Sequence, residues 1–518
     1  MDSKSYLSDC TSCWKKLEFA LNYLNPCQER KERIQSQIQE KLREVNEYHL
    51  TLGLGPSADP LGLSIQEFDQ ALMTLQELAQ GVNAEATLLE KKNSPEGVTG
   101  HILLRNSKKD LMDIRIALIG ESQVGKSTLV GVLSKGVREN GKGSARNAIL
   151  VHQHEKKQGT TASVSQHSVH FDSLGKILKP TKKSSQVLLN SSKIISLIDL
   201  PGHEKYKSTL LNGLISQSPD YAALMIDPST FNPITNQEYL NLLVALNIPH
   251  FIILTKCEKV SNKNLDSVLD FLTSALSKQQ KLLIEVQSQS DALLLSKTFV
   301  NEKIVPVFSF SLKTQKNSEF FVQFLNLLPN IHSWDPLSAT EFYVEKCFQK
   351  ETGTVLCGFL KKGVISLGNR LLLGPDNIGN FQNVEIRTIR VKELERVEAL
   401  AGQFCSLLVA EIVESRKGMV LVDSEKVAKT VYEFECWMWT IDSGLERNVK
   451  SSYKPLIYMQ NSSQCTCIVL GPRIVSSNEP MKFRLRFLYR PEFLEMGSRI
   501  MVRDSFMTAV GTVSCLKY

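Results

Sequence analysis

The sequence predicts an α/β domain with a mostly parallel sheet and helices on both faces. Two β-barrel domains follow it, and an N-terminal α+β extension precedes it. Three observations carry this. Between 111 and 335, apolar runs of strand length alternate with helical stretches: DIRIALIG, KIISLIDL, YAALMID, HFIILT and IVPVFSF. Such runs between helices mark strands buried on both faces. After Pro336 the helical periodicity nearly vanishes, and short alternating strands with glycine turns run to the end, as in barrels. Before residue 110 the pattern is two helices and two short strands. The expected domains are 1–110, 111–335, 336–424 and 425–518, the last division falling at a composition break near DSEKVA.

In the extension, 27–48 reads as a helix with Ile34, Ile38, Leu42 and Val45 on one stripe. The segment GLGPSADPLG reads as a linker. SIQEFDQALMTLQELAQ opens with a capping box, Ser64 and Glu67, and turns Phe68, Ala71, Leu72, Leu75, Leu78 and Ala79 to one face. Strand-like runs follow at 84–90 and 101–105. This extension reads as a packing or partner-docking unit.

The α/β domain begins with RIALIGESQVGKSTLVGVLS, which contains Gly120-Glu121-Ser122-Gln123-Val124-Gly125-Lys126-Ser127-Thr128 between a strand and a helix. The glycines let backbone N–H groups turn inward as an anion nest, and the helix N-terminus adds its positive end. Lys126 can reach β- and γ-phosphates, and the Ser127 hydroxyl can ligate Mg²⁺. The next buried strand ends in Asp199-Leu200-Pro201-Gly202-His203. Asp199 is placed to support Mg²⁺, and Gly202 to offer its N–H to the γ-phosphate. In the intervening KKQGTTASVS, Thr161 is the preferred second Mg²⁺ ligand, with Thr160 and Ser163 as rivals.

The strand HFIILT ends in Thr255-Lys256-Cys257-Glu258. The Lys256 stem can lie along a purine, and Glu258 can accept from N1–H and the exocyclic amine of guanine; adenine has no N1–H there. Ser311, at the end of VFSFS, completes the base site. The reading is GTP/GDP, with ATP or relaxed base choice as the alternative.

These motifs and two barrels, in this order, resemble the translational GTPases of the elongation factor Tu superfamily, and most closely the GTP-binding protein 1 and 2 family. The stretches that carry the resemblance include GVLSKGVRENGKGSARNAILVHQHE, DLPGHEKY, ALNIPHFIILTK, ETGTVLCGFLKKGVISLGNRLLLGPDNIGNF, RKGMVLV and RFLYRPEFLEMGSRIMVRDSFMTAVGTV. LNPCQERKERIQSQIQEKL is similar to that family's own extension. The resemblance implies a P-loop GTPase acting at the ribosome, with roles in tRNA delivery, stalled-ribosome handling or mRNA turnover. It implies that His203 positions the attacking water beside Lys126 and Gly202. The sequence departs from the family at Gln123 and Thr160, usually Asp and Arg, and at Glu258, usually Asp. These departures favour the alternative, a weakly hydrolysing, nucleotide-gated adaptor linked to RNA-decay machinery.

In the barrels, Gly353-Thr354-Val355, Gly358 and Lys362-Gly363 resemble the superfamily's second-domain turns. MKFRLRFLYR alternates, with Met481, Phe483, Leu485 and Phe487 on one face and Lys482, Arg484 and Arg486 on the other. That basic face suits either RNA phosphates or solvent. SSYKPLIYM (451–459) resembles the start of a tRNA-facing side, so aminoacyl-tRNA or another RNA is an expected barrel partner.

Bulk properties narrow the class. A net charge of +7 suits an RNA or ribosome partner without requiring one. No run nears the roughly 18 apolar residues that span a bilayer, and MDSKSYLSDC lacks a secretory pattern. The 11 cysteines, Cys10/Cys13 and Cys465/Cys467 among them, lack zinc-finger spacing and read as reduced thiols. The expectation is a cytoplasmic monomer without a membrane partner.

Overall fold

The computed structural model describes residues 28–45, 47–54, 63–106, 112–150, 155, 161, 163–179, 184–300, 303–314, 317–331, 335–392, 394–423, 430–440, 447–449, 453–472, 474–475, 480–503 and 507–517. Cys10, Cys13, Thr160 and most of DSEKVA lie outside them.

In the N-terminal unit, β1 (Glu47–Leu52), β2 (Ala84–Ser94) and β3 (Gly97–Asn106) form an antiparallel sheet of order β1-β3-β2. Helices α1 (Gln28–Val45) and α2 (Ile65–Gly81) cover one face. Ile34, Ile38 and Leu42 pack there with Phe68, Leu75, Leu78, Leu50, Ile102 and Leu104. The capping box forms: Ser64 Oγ accepts from Glu67 N–H, and the Glu67 carboxylate accepts from Ser64 N–H. The first helix is shorter than expected. It stops at Val45, because Glu47 and Tyr48 pair with Arg105 and Leu104 in a strand that the sequence reading did not contain. That register sets the Glu47 carboxylate against the buried Arg105 guanidinium, 2.7 Å away.

The central sheet holds β4 (Met112–Ile119), β5 (Ser165–Phe171), β6 (Lys193–Asp199), β7 (Tyr221–Ile226), β8 (His250–Leu254), β9 (Leu282–Glu285) and β10 (Ile304–Ser309). Its order is β5-β6-β4-β7-β8-β10-β9, parallel throughout except for β5. The five apolar runs supply the inner strands. The edge strands β5 and β9 are polar or short because a sheet margin buries less of its side chains. The helices are α3 (Lys126–Lys135), α4 (Ser144–Asn147), α5 (Ser184–Leu189), α6 (Lys207–Ser216), α7 (Pro233–Ala245), α8 (Asn262–Lys278), α9 (Gln289–Thr298) and α10 (Ser318–Leu327). α3 and α10 pack on one face of the sheet, and α6, α7 and α8 on the other. The N-terminal sheet turns its second face to α9 and α10 through Leu103, Leu293 and Leu327.

Beyond residue 340 the regular elements among the described residues are all strands. One sheet joins Arg370–Gly374, Val420–Asp423, Glu341–Lys350, Gly353–Lys362, Phe404–Val409 and Gln382–Val391, and pairing of the last with Arg370–Gly374 closes the ring. A second closed barrel joins Glu433–Thr440, Met481–Phe487, Ser463–Leu470, Leu456–Tyr458, Arg499–Arg503 and Thr508–Lys517. Lys362 Nζ bridges the two, 3.1 Å from both Glu341 and Glu495.

Two barrel segments make contacts that the sequence does not reveal. Phe483, Leu485 and Phe487 do face inward, yet the opposite basic face is internally paired. Lys482 and Arg484 each lie 2.6 Å from Glu435, and Arg486 lies 2.8 Å from Glu433, on the neighbouring strand. The hydrogen bonds from Lys482 and Arg484 hold Glu435 down at about 2. These pairs offset part of the positive charge on that face, while the side chains of Lys482 and Arg486 stay about half exposed. In the described part of SSYKPLIYM, Lys454 is exposed but the apolar residues are covered. Leu456 and Tyr458 pack with Met501 and Val510 against Leu210, Leu211 and Leu214 of α6.

Candidate functional site

The parallel strands all end at one edge of the sheet, and that is where the singled-out residues meet. The turn after β4 carries Gly120 and Gly125 at φ 143° and 105°, followed at once by α3. Gln123 also adopts a positive φ, 65°. Lys126 is buried, and its Nζ donates to Gly120 O at 2.8 Å and Glu121 O at 2.7 Å. Burial lowers its pKa to about 8, against the opposing pull of Asp199 and Glu121. A phosphate would draw the amine off these carbonyls.

Ser127, Thr161 and Asp199 converge. Ser127 Oγ donates to Asp199 Oδ2 at 2.6 Å and lies 2.7 Å from Thr161 Oγ1, which is 3.3 Å from the same carboxylate oxygen. Asp199 Oδ1 is buried without a hydrogen-bond partner. Burial raises the Asp199 pKa, while Lys126 and the two hydroxyls lower it. Two hydroxyls and a buried carboxylate with a spare oxygen fit a small, hard dication. Ser163 is occupied elsewhere, donating through N–H and Oγ to Glu155.

Gly202 lies against the phosphate loop. A Cβ there would stand 2.3 Å from Lys126 Nζ and 2.4 Å from Gly120 O, so only glycine fits. The loop of Asp199 and Gly202 therefore touches the groups that would hold a γ-phosphate. His203 is exposed and caps the next turn, its Nδ1 accepting from Lys205 N–H at 3.2 Å. The structure does not bring it to the phosphate loop.

The end of β8 is tied to the same loop. Thr255 Oγ1 donates to Val124 O at 2.7 Å and lies 3.2 Å from Ile226 O. Lys256, at φ 55°, donates to Gln123 O at 2.7 Å and pairs with Asp227 at 2.7 Å. Glu258 is exposed on a short turn, Cys257–Lys259, its carboxylate toward solvent. Ser311 is buried and accepts from Thr314 N–H through its hydroxyl. Asp227 is the residue the sequence reading missed. It directly follows a fully buried strand, much as Asp199 ends one, and that similar position was the available signal. Its carboxyl also accepts from Ser229; the bonds from Lys256 and Ser229 lower its pKa although burial opposes them.

Chemically, the site offers a positively charged cradle for phosphates, an oxygen set for a dication, and a loop with a lysine and a free carboxylate for a base. Residues 112–337 match the family model of the Elongation factor Tu GTP binding domain. The chain is 29% identical over 508 residues to GTP-binding protein 1 of Xenopus laevis, covering 95% of this chain and 77% of that one. It is 28% identical over 522 residues to GTP-binding protein 2 of Homo sapiens, covering 96% and 86%. Among solved structures it resembles translation elongation factor SelB from Methanococcus maripaludis in complex with the GTP analogue GppNHp. There the TM-score is 0.57 at 15% identity, over 79% of this chain and 80% of that one. That last likeness concerns the fold.

Proposed function

We propose, from the match of residues 112–337 to the Elongation factor Tu GTP binding domain and the likeness to GTP-binding proteins 1 and 2, that this chain is a GTP-hydrolysing, Mg²⁺-dependent switch triggered by the ribosome. The observation that carries this reading is the meeting of Ser127, Thr161 and Asp199 on one side of Lys126, with Gly202 against the same lysine. Water attacks the γ-phosphorus in line, the bond to the β–γ bridging oxygen breaks, and GDP and inorganic phosphate result. Bound Mg²⁺, held by Ser127, Thr161 and Asp199, would neutralise charge on the β- and γ-oxygens. Lys126 and the loop N–H groups do the same from the protein side. Gly202 donates its N–H to the γ-phosphate and yields when that group leaves. His203 orients the water, which requires its ring to leave the cap on Lys205; the ribosome supplies that displacement.

The output runs through α6. It begins four residues after His203, and its apolar face meets Leu456, Tyr458 and Met501 of the second barrel. At its far end Gln217 donates to Glu345 of the first barrel at 2.7 Å. A shift of Gly202 would thus move both barrels. In this reading the barrels carry tRNA or another RNA, and the protein works in the cytoplasm. Among the described residues no helix is long and apolar enough to cross a membrane, and the described cysteines are free thiols.

His203→Ala is expected to lower ribosome-stimulated hydrolysis by about 10²–10⁴-fold and leave GTP affinity intact. Pre-steady-state phosphate release with and without ribosomes checks it, and unaltered stimulated turnover would remove His203 from the mechanism. If ribosomes fail to stimulate even the unmutated protein, the adaptor linked to RNA decay becomes the better reading. For the base, Glu258→Ala is expected to reduce preference for GTP over ATP by about a hundredfold, the loss of two hydrogen bonds to a charged acceptor. Competition binding measures it, and a variant that still excludes ATP would place guanine recognition elsewhere.

A further inference from the structure

Among the described residues, nine line the cleft at the phosphate loop. Eight are residues already discussed: Ser122, Gln123, Gly125, Lys126, Ser127 and Thr128, with Thr161 and Gly202. The ninth is Arg146, from α4, which no part of the mechanism above uses.

The chain holds this arginine with unusual care. α4 lies directly on α3, where Gly131 permits the contact: a Cβ at 131 would stand 2.1 Å from Ala145 O. The loop leading to α4 is braced by Glu139. Its carboxylate accepts from Gly141 N–H at 2.7 Å, Gly143 N–H at 2.8 Å and Ala145 N–H at 3.1 Å. Ser144 Oγ adds a bond to Arg138 O at 2.8 Å. The guanidinium folds over Gly143, where a Cβ would come within 2.8 Å of Nη2. Glu139 and Ser144 thus brace the loop that presents the guanidinium. What the arrangement achieves is a half-buried, permanent cation beside Lys126.

We propose that Arg146 is a catalytic residue, an arginine supplied in cis that stabilises the charge developing during hydrolysis. In the transition state, negative charge spreads over the equatorial γ-oxygens and the leaving β–γ oxygen. A guanidinium donates two parallel N–H bonds to such oxygens, which an ammonium cannot do. Arg146 and Lys126 meet the phosphates from different elements. The proton and electron balance of hydrolysis is unchanged: Arg146 donates hydrogen bonds only, and water supplies the new P–O bond.

The test compares wild type, Arg146→Ala and Arg146→Lys in single-turnover GTP hydrolysis, GDP affinity, and formation of the GDP–aluminium fluoride complex. Arg146→Ala is expected to lower hydrolysis about a thousandfold, abolish the fluoride complex and leave GDP affinity unchanged. Arg146→Lys, which keeps the charge and bulk and so guards against misfolding, should recover only a small part of the rate. Hydrolysis unchanged in both variants overturns the proposal. So does a loss of GDP affinity as large as the loss of rate, since Arg146 would then serve binding alone. A wild type that binds GTP without turnover overturns it together with the hydrolase mechanism, and the wild-type trace separates that outcome from the others.

Discussion

Glu47→Gln is expected to destabilise the protein by about 3–5 kcal/mol, the usual result of leaving a buried cation without its counter-charge. Glu47 Oε1 lies 2.6 Å from Lys193 Nζ, and Oε2 lies 2.7 Å from Arg105 Nη2; the lysine side chain is 0% exposed. Both cations are otherwise satisfied by neutral groups. Lys193 donates to Asn326 O and Leu328 O at 2.7 and 2.6 Å, and Arg105 to Asp172 O at 3.0 Å and Asn326 Oδ1 at 3.0 Å. One carboxylate therefore balances two buried charges across the seam between the N-terminal unit and the central domain. Burial alone would raise the Glu47 pKa, but Lys193 and Arg105 reverse the shift and hold it at about 2. Burial lowers Lys193 to about 8 in spite of Glu47.

The sign of the pH dependence follows from Glu47. Its folded pKa lies below the ordinary 4.5, so its stabilisation is fully present above about 4.5 and is lost as pH falls towards 2. Denaturant unfolding at pH 7 and pH 3 should show the two proteins converging at the lower pH. Adding Lys193→Met to Glu47→Gln should restore part of the loss, because it removes one stranded cation. Equal stability of wild type and Glu47→Gln at pH 7 would mean that water already screens the cluster.

Lys126→Ala is expected to weaken GTP binding by about 3 kcal/mol, roughly a hundredfold in Kd, through loss of its charge-assisted bonds to the phosphates. The free amine has a pKa lowered to about 8, and phosphates must raise it by favouring the charged form. Affinity should therefore be level below pH 8 and decline above it, with about one proton taken up per nucleotide bound. Calorimetry in two buffers of different ionisation enthalpy reads that proton directly. Lys126→Ala should show neither the decline nor the uptake, and a wild type with flat affinity to pH 10 would contradict the assignment.

Much of this site was legible in the chain because its parts are contiguous. A phosphate loop is a local backbone conformation: glycines at 120 and 125 and the start of α3 fall within nine residues. Asp199 and Thr255 announce themselves by ending apolar strands, since a parallel sheet delivers every strand's C-terminal end to one edge. Thr161 could be preferred over Ser163 in the sequence, but only the fold showed that Ser163 already serves Glu155. The edge strand β9 was invisible because four half-exposed residues carry no periodicity worth reading.

The sequence by itself determined the inner strands, the phosphate loop and the order of the domains, because hydrophobic period and glycine placement act over a few residues. The tertiary structure alone decided how the charges are spent. Lys482, Arg484 and Arg486 read as an unpaired basic face until Glu433 and Glu435, about fifty residues earlier, are set opposite them. Asp227 acquires a role only when β7 and β8 lie side by side and bring Lys256 within 2.7 Å. Glu47 would pass for the exposed end of a helix, yet it neutralises Lys193, 146 residues away. Charge is long-ranged in a dry interior and short-ranged in water. Which regime a side chain enters depends on burial, and burial is a property of the folded whole.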